Sequence, residues 1–386
     1  MFSKRVQLLA TSPTIAIDVK AKAFKKQGIP VINLSVGEPN FHTPENIKKA
    51  AINAIKEGNS FYTPPEGIVE LREAIARKFK RDNKLDYDAS DIIVGVGAKQ
   101  ILYNAFQVLC DKGDEVIIAI PAWNTFVEQV KLTGAKAVLI TLKPPFKLKA
   151  SDVKKAISSK TKVILLNTPS NPTGAMIDEE ELKKIADIAV KNNIFIIADE
   201  IYEKLVYTQK HVSIASLNEK IKEKTITVNG LSKSYAMTGW RLGYAAGPQE
   251  IIGKMKALQS QLLAHASSIS QKAGVEALNG DQASVEMMRK AFAKRREFCL
   301  KQISNIPELS VSEPDGAFYL FISVEKLLGK KYPTASAWAE ALLDKEKVAV
   351  VPGEAFFYPG YIRFSYAASD EDLKVAFVKI KRFIEN

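Results

Sequence analysis

Hydrophobic and polar positions along the middle of the chain fall into two alternating rhythms. ASDIIVGVGAKQILYNAFQVL reads as a strand, a Gly turn and a helix. DEVIIAIPAW is a continuous apolar strand stopped by Pro121, and KAVLITL follows as another. TKVILLNTPSNPTG is a buried strand running into a turn, and EEELKKIADIAVKNN is an amphipathic helix that stops at Asn. IFIIADEIYEKL is a strand ending in Asp199, and TITVNGLSKSY is a further strand and turn. Short apolar runs separated by helices predict a mainly parallel sheet covered on both faces, an α/β architecture. Ligands bind beyond the carboxyl ends of the strands in such sheets.

The rhythm changes after about residue 285. A long charged helix, VEMMRKAFAKRREFCLKQI, leads into GAFYLFISV, VAVVPG and YIRFSYA, a pattern of short strands and helices. The first 45 or so residues do not fit the central pattern either. The expected organisation is a large domain over 46–284, and a smaller α+β domain built from 1–45 and 285–386.

Composition excludes several classes. The chain has 386 residues, 46% hydrophobic and 25% charged, which suits a globular protein with a large core. No apolar run approaches the ~18 residues of a membrane helix. The N-terminal apolar patch is broken by Thr11, Ser12 and Pro13, a poor signal peptide, so a cytoplasmic location is expected. Cys110 and Cys299 form no metal or redox motif and fit a reducing compartment. The formal charge of +12 is lysine scattered over helical patterns and mixed with Glu and Asp. With no long basic block and no zinc spacing, no nucleic-acid partner is expected.

Candidate chemistry concentrates at the predicted strand ends. SKSYAMTGWRLGY carries Lys233 among small, hydroxyl and aromatic residues, with Arg241 eight positions on. A lysine short of neighbouring charges loses its proton more easily, and the neutral amine forms a Schiff base with an aldehyde. An arginine in a polar turn suits a bidentate grip on phosphate. Pyridoxal 5'-phosphate is the common cofactor that is both aldehyde and phosphate. Asp199, after its strand, can pair with a protonated pyridine nitrogen and keep the ring an electron sink. Tyr202 can bond the ring's phenolic oxygen, although an N-cap aspartate and a packed tyrosine fit the same pattern. Asn171, in a turn set by Pro169, Pro172 and Gly174, can donate to that oxygen and to a substrate carboxylate. Gly97, Ala98 and Lys99 open a helix whose amides suit phosphate, and the Lys99 amine would add charge there or meet an acidic substrate group. Trp123 can stack on a ring or serve the core. Tyr62 sits on a Pro-rich loop of the kind that reaches a partner subunit. Arg363 is one of only ten arginines and lies in an apolar strand, as an edge residue or as a carboxylate clamp.

These residues carry a resemblance. GEPNFHTP, YTPPEGIVELREAIA, VGAKQ, NTPSNPTG, DEIYEKL, SKSYAMTGWRLGY, GAFY, VVPGEAF and YIRFSYA stand in an order and spacing that resembles the class I aminotransferases of pyridoxal-phosphate fold type I. The bacterial and archaeal aspartate aminotransferase branch is the nearest in pattern. The resemblance implies a large domain with a mainly parallel sheet plus a smaller α+β domain. It implies Lys233 as the Schiff-base lysine and proton shuttle, Asp199 as the pyridinium partner, and Tyr202 and Asn171 as phenolic-oxygen ligands. Arg241, Ser232 and the 97–99 turn would form the phosphate cup, with Tyr62 reaching in from the second subunit. Gly37, Trp123, Asn171 and Arg363 would hold the substrate carboxylate. A homodimer with shared sites is implied.

Some positions depart from the usual pattern. Asn40 replaces an aspartate, and Ala122 a common tyrosine. Leu263 and Ala264 replace small hydroxyl residues. Ala10 stands where members accepting prephenate carry a lysine. The expected reaction is transfer of an amino group from L-aspartate to 2-oxoglutarate, with Lys99 facing the second carboxylate. Aromatic amino acids and alanine are the alternative donors, which Leu263 and Ala122 would favour. A C–S lyase of the same fold is a further alternative. A cofactor-sensing regulator would normally carry an added N-terminal DNA-binding domain, and none is expected here.

Overall fold

The computed structural model describes residues 2, 7, 9 and 13–386. A seven-stranded sheet dominates it. Its strands are β1 (Ile92–Gly95), β2 (Glu115–Ile120), β3 (Lys136–Thr141), β4 (Thr161–Asn167), β5 (Phe195–Asp199), β6 (Thr225–Gly230) and β7 (Gly243–Ala246). The spatial order is β1-β7-β6-β5-β4-β2-β3. All neighbours run parallel except β7, which is antiparallel to both β1 and β6.

Alternate residues of each strand enter different cores. Val116, Ile118, Val163, Leu165 and Ile197 join one apolar cluster, whereas Ile117, Ile164, Leu166, Ile196 and Ala198 join another on the opposite face. Burial on both sides is why these strands read as unbroken apolar runs. Helices supply the cover. The helix Glu179–Lys191 follows Asp178, carries three glutamates in its first turn, and buries Leu182, Ile185, Ala186 and Ala189. Acidic residues at the start favour the helix dipole, and each large apolar anchor contributes about 2 kcal/mol.

Beyond residue 304 a second, antiparallel sheet forms from β8 (Ser310–Val311), β9 (Tyr319–Ser323), β10 (Val351–Pro352) and β11 (Tyr361–Ser365), in the order β10-β11-β9-β8. Its core contains Phe318, Leu320, Trp338, Phe364 and Phe377, and reaches Ile201, Tyr202 and Leu205 just past β5. Ile32–Asn33 pairs in parallel with Val348–Ala349, so the segment before residue 35 lies beside this second sheet.

One strand was not singled out from the sequence. Gly243–Ala246, in RLGYAAG, is a fully buried strand. Its glycine explains the placement. A Cβ on Gly243 would lie 2.2 Å from the Ala98 nitrogen, so only glycine lets the helix Ala98–Leu109 start against the sheet.

Candidate active site

The parallel strands bring their carboxyl ends to one edge, and the chemistry gathers there. β4 ends in Asn167, β5 in Asp199 and β6 in Gly230, three residues before Lys233. A cleft of about 380 Å³ opens beside these ends. Lys233, Asp199, Tyr202, Asn171, Ser232, Ala98, Lys99, Trp123, Arg241, Arg363 and Gly37, all singled out from sequence, line it. Gly97 stands directly behind the Arg241 guanidinium, and a Cβ there would lie 2.6 Å from Arg241 Nη2. Its φ of +78 also favours glycine. Tyr62 is 92% exposed, meets the His265 ring edge-on, and does not line the cleft. Ala10 lies outside the described residues.

Lys233 Nζ donates to the Gly37 carbonyl at 2.5 Å. Burial, aided by Arg363 and Arg241, pulls its pKa from 10.5 to about 8, so a usable fraction is neutral near neutral pH. Asp199, 3% exposed, accepts the Ile201 amide at 3.2 Å. Burial pushes its carboxyl from 3.8 up to about 7, opposed by that hydrogen bond and by Lys233. A carboxylate so destabilised is a natural partner for a buried cation.

Arg363, 4% exposed, sits on β11, an internal strand of its sheet, so the edge reading fails. Nη1 donates to Asn171 Oδ1 at 3.0 Å and Nη2 to the Ser35 carbonyl at 2.5 Å. Asn171 is fixed in turn by its amide, which donates to Asn167 Oδ1 at 2.9 Å. Arg363 Nε is buried without a hydrogen-bond partner. Arg241 Nη1 donates to the Thr238 carbonyl at 2.8 Å. Among the described residues no carboxylate pairs with either guanidinium. Leaving a buried charge unpaired is costly, so Arg363 calls for an anion from outside the chain, and the exposed Arg241 offers its guanidinium to one.

Lys99 Nζ lies 4.7 Å from the centre of the Trp123 ring. Desolvation, with Arg241 nearby, lowers its pKa. The cleft is thus lined by two guanidinium groups, Arg363 and Arg241, and two amines, Lys99 and Lys233, with the Asp199 carboxyl beside them.

Sequence reasoning missed Tyr319, whose hydroxyl lies 2.8 Å from that of Tyr202. In GAFYLFISV it reads as core; its only signal was a polar tip at the start of an apolar run. Ser35 and Glu38 were missed as well, and both line the cleft.

A second buried cluster lies just past Asp199. Lys78 pairs with Glu203 and donates to Asn83 Oδ1 at 2.7 Å, while His211 Nε2 lies 3.1 Å from Glu200 Oε2. Burial draws the His211 pKa down, but Glu200 and Glu203 outweigh it, and the net shift is upward from 6.5. A raised folded-state pKa means that this contribution to stability is complete below about pH 6.5. It is lost as pH rises through the folded value. His211→Asn is expected to flatten the fall in thermal midpoint over that interval, as scanning calorimetry at stepped pH would read. An unchanged profile would show that the imidazole carries no charge there.

Comparison with known proteins agrees with this geometry. Residues 29–380 match the family described as aminotransferase class I and II. The aspartate aminotransferase of Bacillus sp. (strain YM-2) is 48% identical over 389 residues, covering 100% of this chain and 99% of that protein. The aspartate aminotransferase of Bacillus subtilis (strain 168) is 46% identical, covering 99% and 98%. The solved aspartate aminotransferase of Thermus thermophilus with maleate superposes with a TM-score of 0.95 at 40% identity, covering 99% of each chain. The chain belongs to the class I and II aminotransferases. Its architecture is fold type I of the pyridoxal-phosphate-dependent transferases, and it is an aminotransferase.

Proposed function

We propose that this enzyme moves the amino group of L-aspartate to 2-oxoglutarate with pyridoxal 5'-phosphate as cofactor, in a homodimer of the cytoplasm. The observation that carries the reading is Arg363, buried, oriented by Asn171 and Ser35, and without a carboxylate partner among the described residues. An α-carboxylate supplies that partner. The relatives named aspartate aminotransferase support the donor, as does Lys99 for a second carboxylate.

The residues fit the cofactor. Arg241 and Ser232, with the amides that open the helix Ala98–Leu109, would hold its phosphate, and the small residues Gly97 and Ala98 allow close approach. Asp199 would face the ring nitrogen, where a cation relieves its raised pKa. Tyr202 and Asn171 would bond the phenolic oxygen, and Trp123 would cover the ring. When bound, the cofactor supplies an aldehyde for the amino group and a ring that accepts electrons. Lys233 performs two tasks, as nucleophile toward that aldehyde and as base at the substrate α-carbon, and its pKa of about 8 suits both. Arg363 fixes the carboxylate, and so decides which bond at the α-carbon the Lys233 amine can reach.

Tyr62 would enter the site of a second copy. Phe61 is 82% exposed, and Ile52 and Ile55 leave an apolar face of the helix Glu45–Lys56 uncovered. The opposite face, with Ile47 and Ala51, packs on the helix Ser268–Asn279. A second chain would bury the open face. Residues 46–284 would form the cofactor-binding domain, and 1–45 with 285–386 the smaller one.

A donor panel with 2-oxoglutarate as acceptor tests the reading. Aspartate should give the highest kcat/KM. Pyruvate released from a cystathionine-like compound without an acceptor would replace the reading by a C–S lyase. Lys99→Ala should lower kcat/KM for aspartate by about tenfold and leave alanine within about twofold, as loss of one charged hydrogen bond predicts. Equal falls would assign Lys99 to the phosphate and remove this support for aspartate.

A further inference from the structure

Tyr319 touches three parts of the cleft at once. Its hydroxyl lies 2.8 Å from the Tyr202 hydroxyl. Its ring centre is 4.5 Å from the Arg363 guanidinium carbon. A Cβ on Gly37 would lie 2.6 Å from its hydroxyl oxygen, so the residue whose carbonyl holds Lys233 is packed against it. The placement follows from strand register. Tyr319 opens β9 opposite Ser365 of β11, and Arg363 lies two residues back on the same face. Diagonal neighbours at this spacing are within reach of an aromatic ring.

We infer that Tyr319 is a positioning residue for the transamination: its O–H donates to Tyr202, fixing the Tyr202 proton toward the ligand, and its ring sets the plane of Arg363. The inference rests on the function proposed above. Two hydroxyls at 2.8 Å share one proton, and either can be the donor. Tyr202 can donate to a phenolic oxygen in the cleft only if its bond with Tyr319 is one it accepts. That requirement assigns the direction. Two O–H groups in series polarise one another, so Tyr202 becomes the stronger donor. The ring acts separately. A guanidinium stacked on an aromatic face keeps its edge free for planar hydrogen bonds, here to Asn171 and to an incoming carboxylate.

The two parts are separable by substitution. Tyr319→Phe keeps the ring and deletes the hydroxyl, and Tyr319→Leu deletes both. A hydrogen bond donated to the phenolic oxygen favours its negatively charged form, so weakening it raises the pH midpoint of the holoenzyme's visible absorbance change. Tyr319→Phe is expected to raise that midpoint, measured without substrate, by about one unit and to lower kcat about tenfold, with KM for aspartate and 2-oxoglutarate within about twofold. Tyr319→Leu should add a rise of about tenfold in both KM values, because Arg363 loses the nearer of its two aromatic neighbours and keeps only Phe356, 5.2 Å away. An absorbance midpoint and kcat unchanged in Tyr319→Phe would overturn the inference, and that variant decides alone if Tyr319→Leu fails to fold. A purely structural role would lower the thermal midpoint of both variants and leave the spectral midpoint where it was, which also overturns it. Failure of the underlying function looks different. The wild-type protein would then neither take up the cofactor nor transaminate aspartate.

Discussion

Lys233→Ala is expected to abolish transamination, with kcat down by about 10⁴-fold or more. Under the proposed function two tasks converge on this amine. It must be neutral often enough to attack, and burial with Arg363 and Arg241 nearby brings its pKa to about 8. It must also reach the α-carbon held by Arg363. The Gly37 carbonyl, 2.5 Å from Nζ, keeps it at that place in the cleft. Alanine removes nucleophile and base together, and among the described residues the only other lysine lining the cleft is Lys99, held against Trp123. Steady-state assays with aspartate and 2-oxoglutarate would read the loss. The fold should survive, since the amine is bonded to one carbonyl and packs in no core. A variant retaining more than a tenth of wild-type turnover would remove Lys233 from the chemistry.

Asp199→Asn should have the next largest effect, lowering kcat by about 10² to 10³-fold while cofactor remains bound. Asparagine keeps the shape and the acceptor for the Ile201 amide but carries no charge for a ring nitrogen. The same substitution should stabilise the cofactor-free chain at alkaline pH. Burial raises the Asp199 pKa from 3.8 to about 7, so the native state penalises ionisation of this group. A carboxyl raised in this way costs stability progressively as pH climbs from about 4 to about 7. Thermal midpoints of the cofactor-free wild type and variant should therefore meet near pH 4 and separate by pH 8, with the variant higher. Activity is gained at the expense of stability at this position. Equal midpoints at pH 8 would show that the buried carboxyl is already compensated within the chain.

Much of the site was legible because the parallel sheet forces it. Strands covered on both faces leave little room for charged side chains except near their ends. Asn167, Asp199 and the turn to Lys233 are therefore the points where the pattern breaks. Arg363 was legible as an anomaly in an apolar strand. Its role depended on register with β9 and on the Ser35 and Asn171 oxygens, none of which periodicity reveals. A backbone acceptor such as Ser35 carries no side-chain signal at all, and Gly37 entered only through the resemblance. Tyr319 looks like any core aromatic until its hydroxyl meets Tyr202. The Lys78, Asn83, Glu203 and His211 cluster was invisible for another reason. Its members come from two short stretches, Lys78 with Asn83 and Glu203 with His211, more than a hundred residues apart, and each alone reads as a solvated polar residue. The strand Gly243–Ala246 was missed because three of its four residues, Gly243, Ala245 and Ala246, have low strand propensity, and the close approach of the helix Ala98–Leu109 explains the glycine.

The central claim is that one amine, set between two anion-seeking guanidinium groups, bonds an aldehyde cofactor. Borohydride reduction of the yellow holoenzyme, followed by digestion and peptide mapping, tests it most directly. The account predicts a single stable adduct on the peptide carrying Lys233. An adduct on Lys99 or on a surface lysine, with Lys233 unmodified, would contradict it.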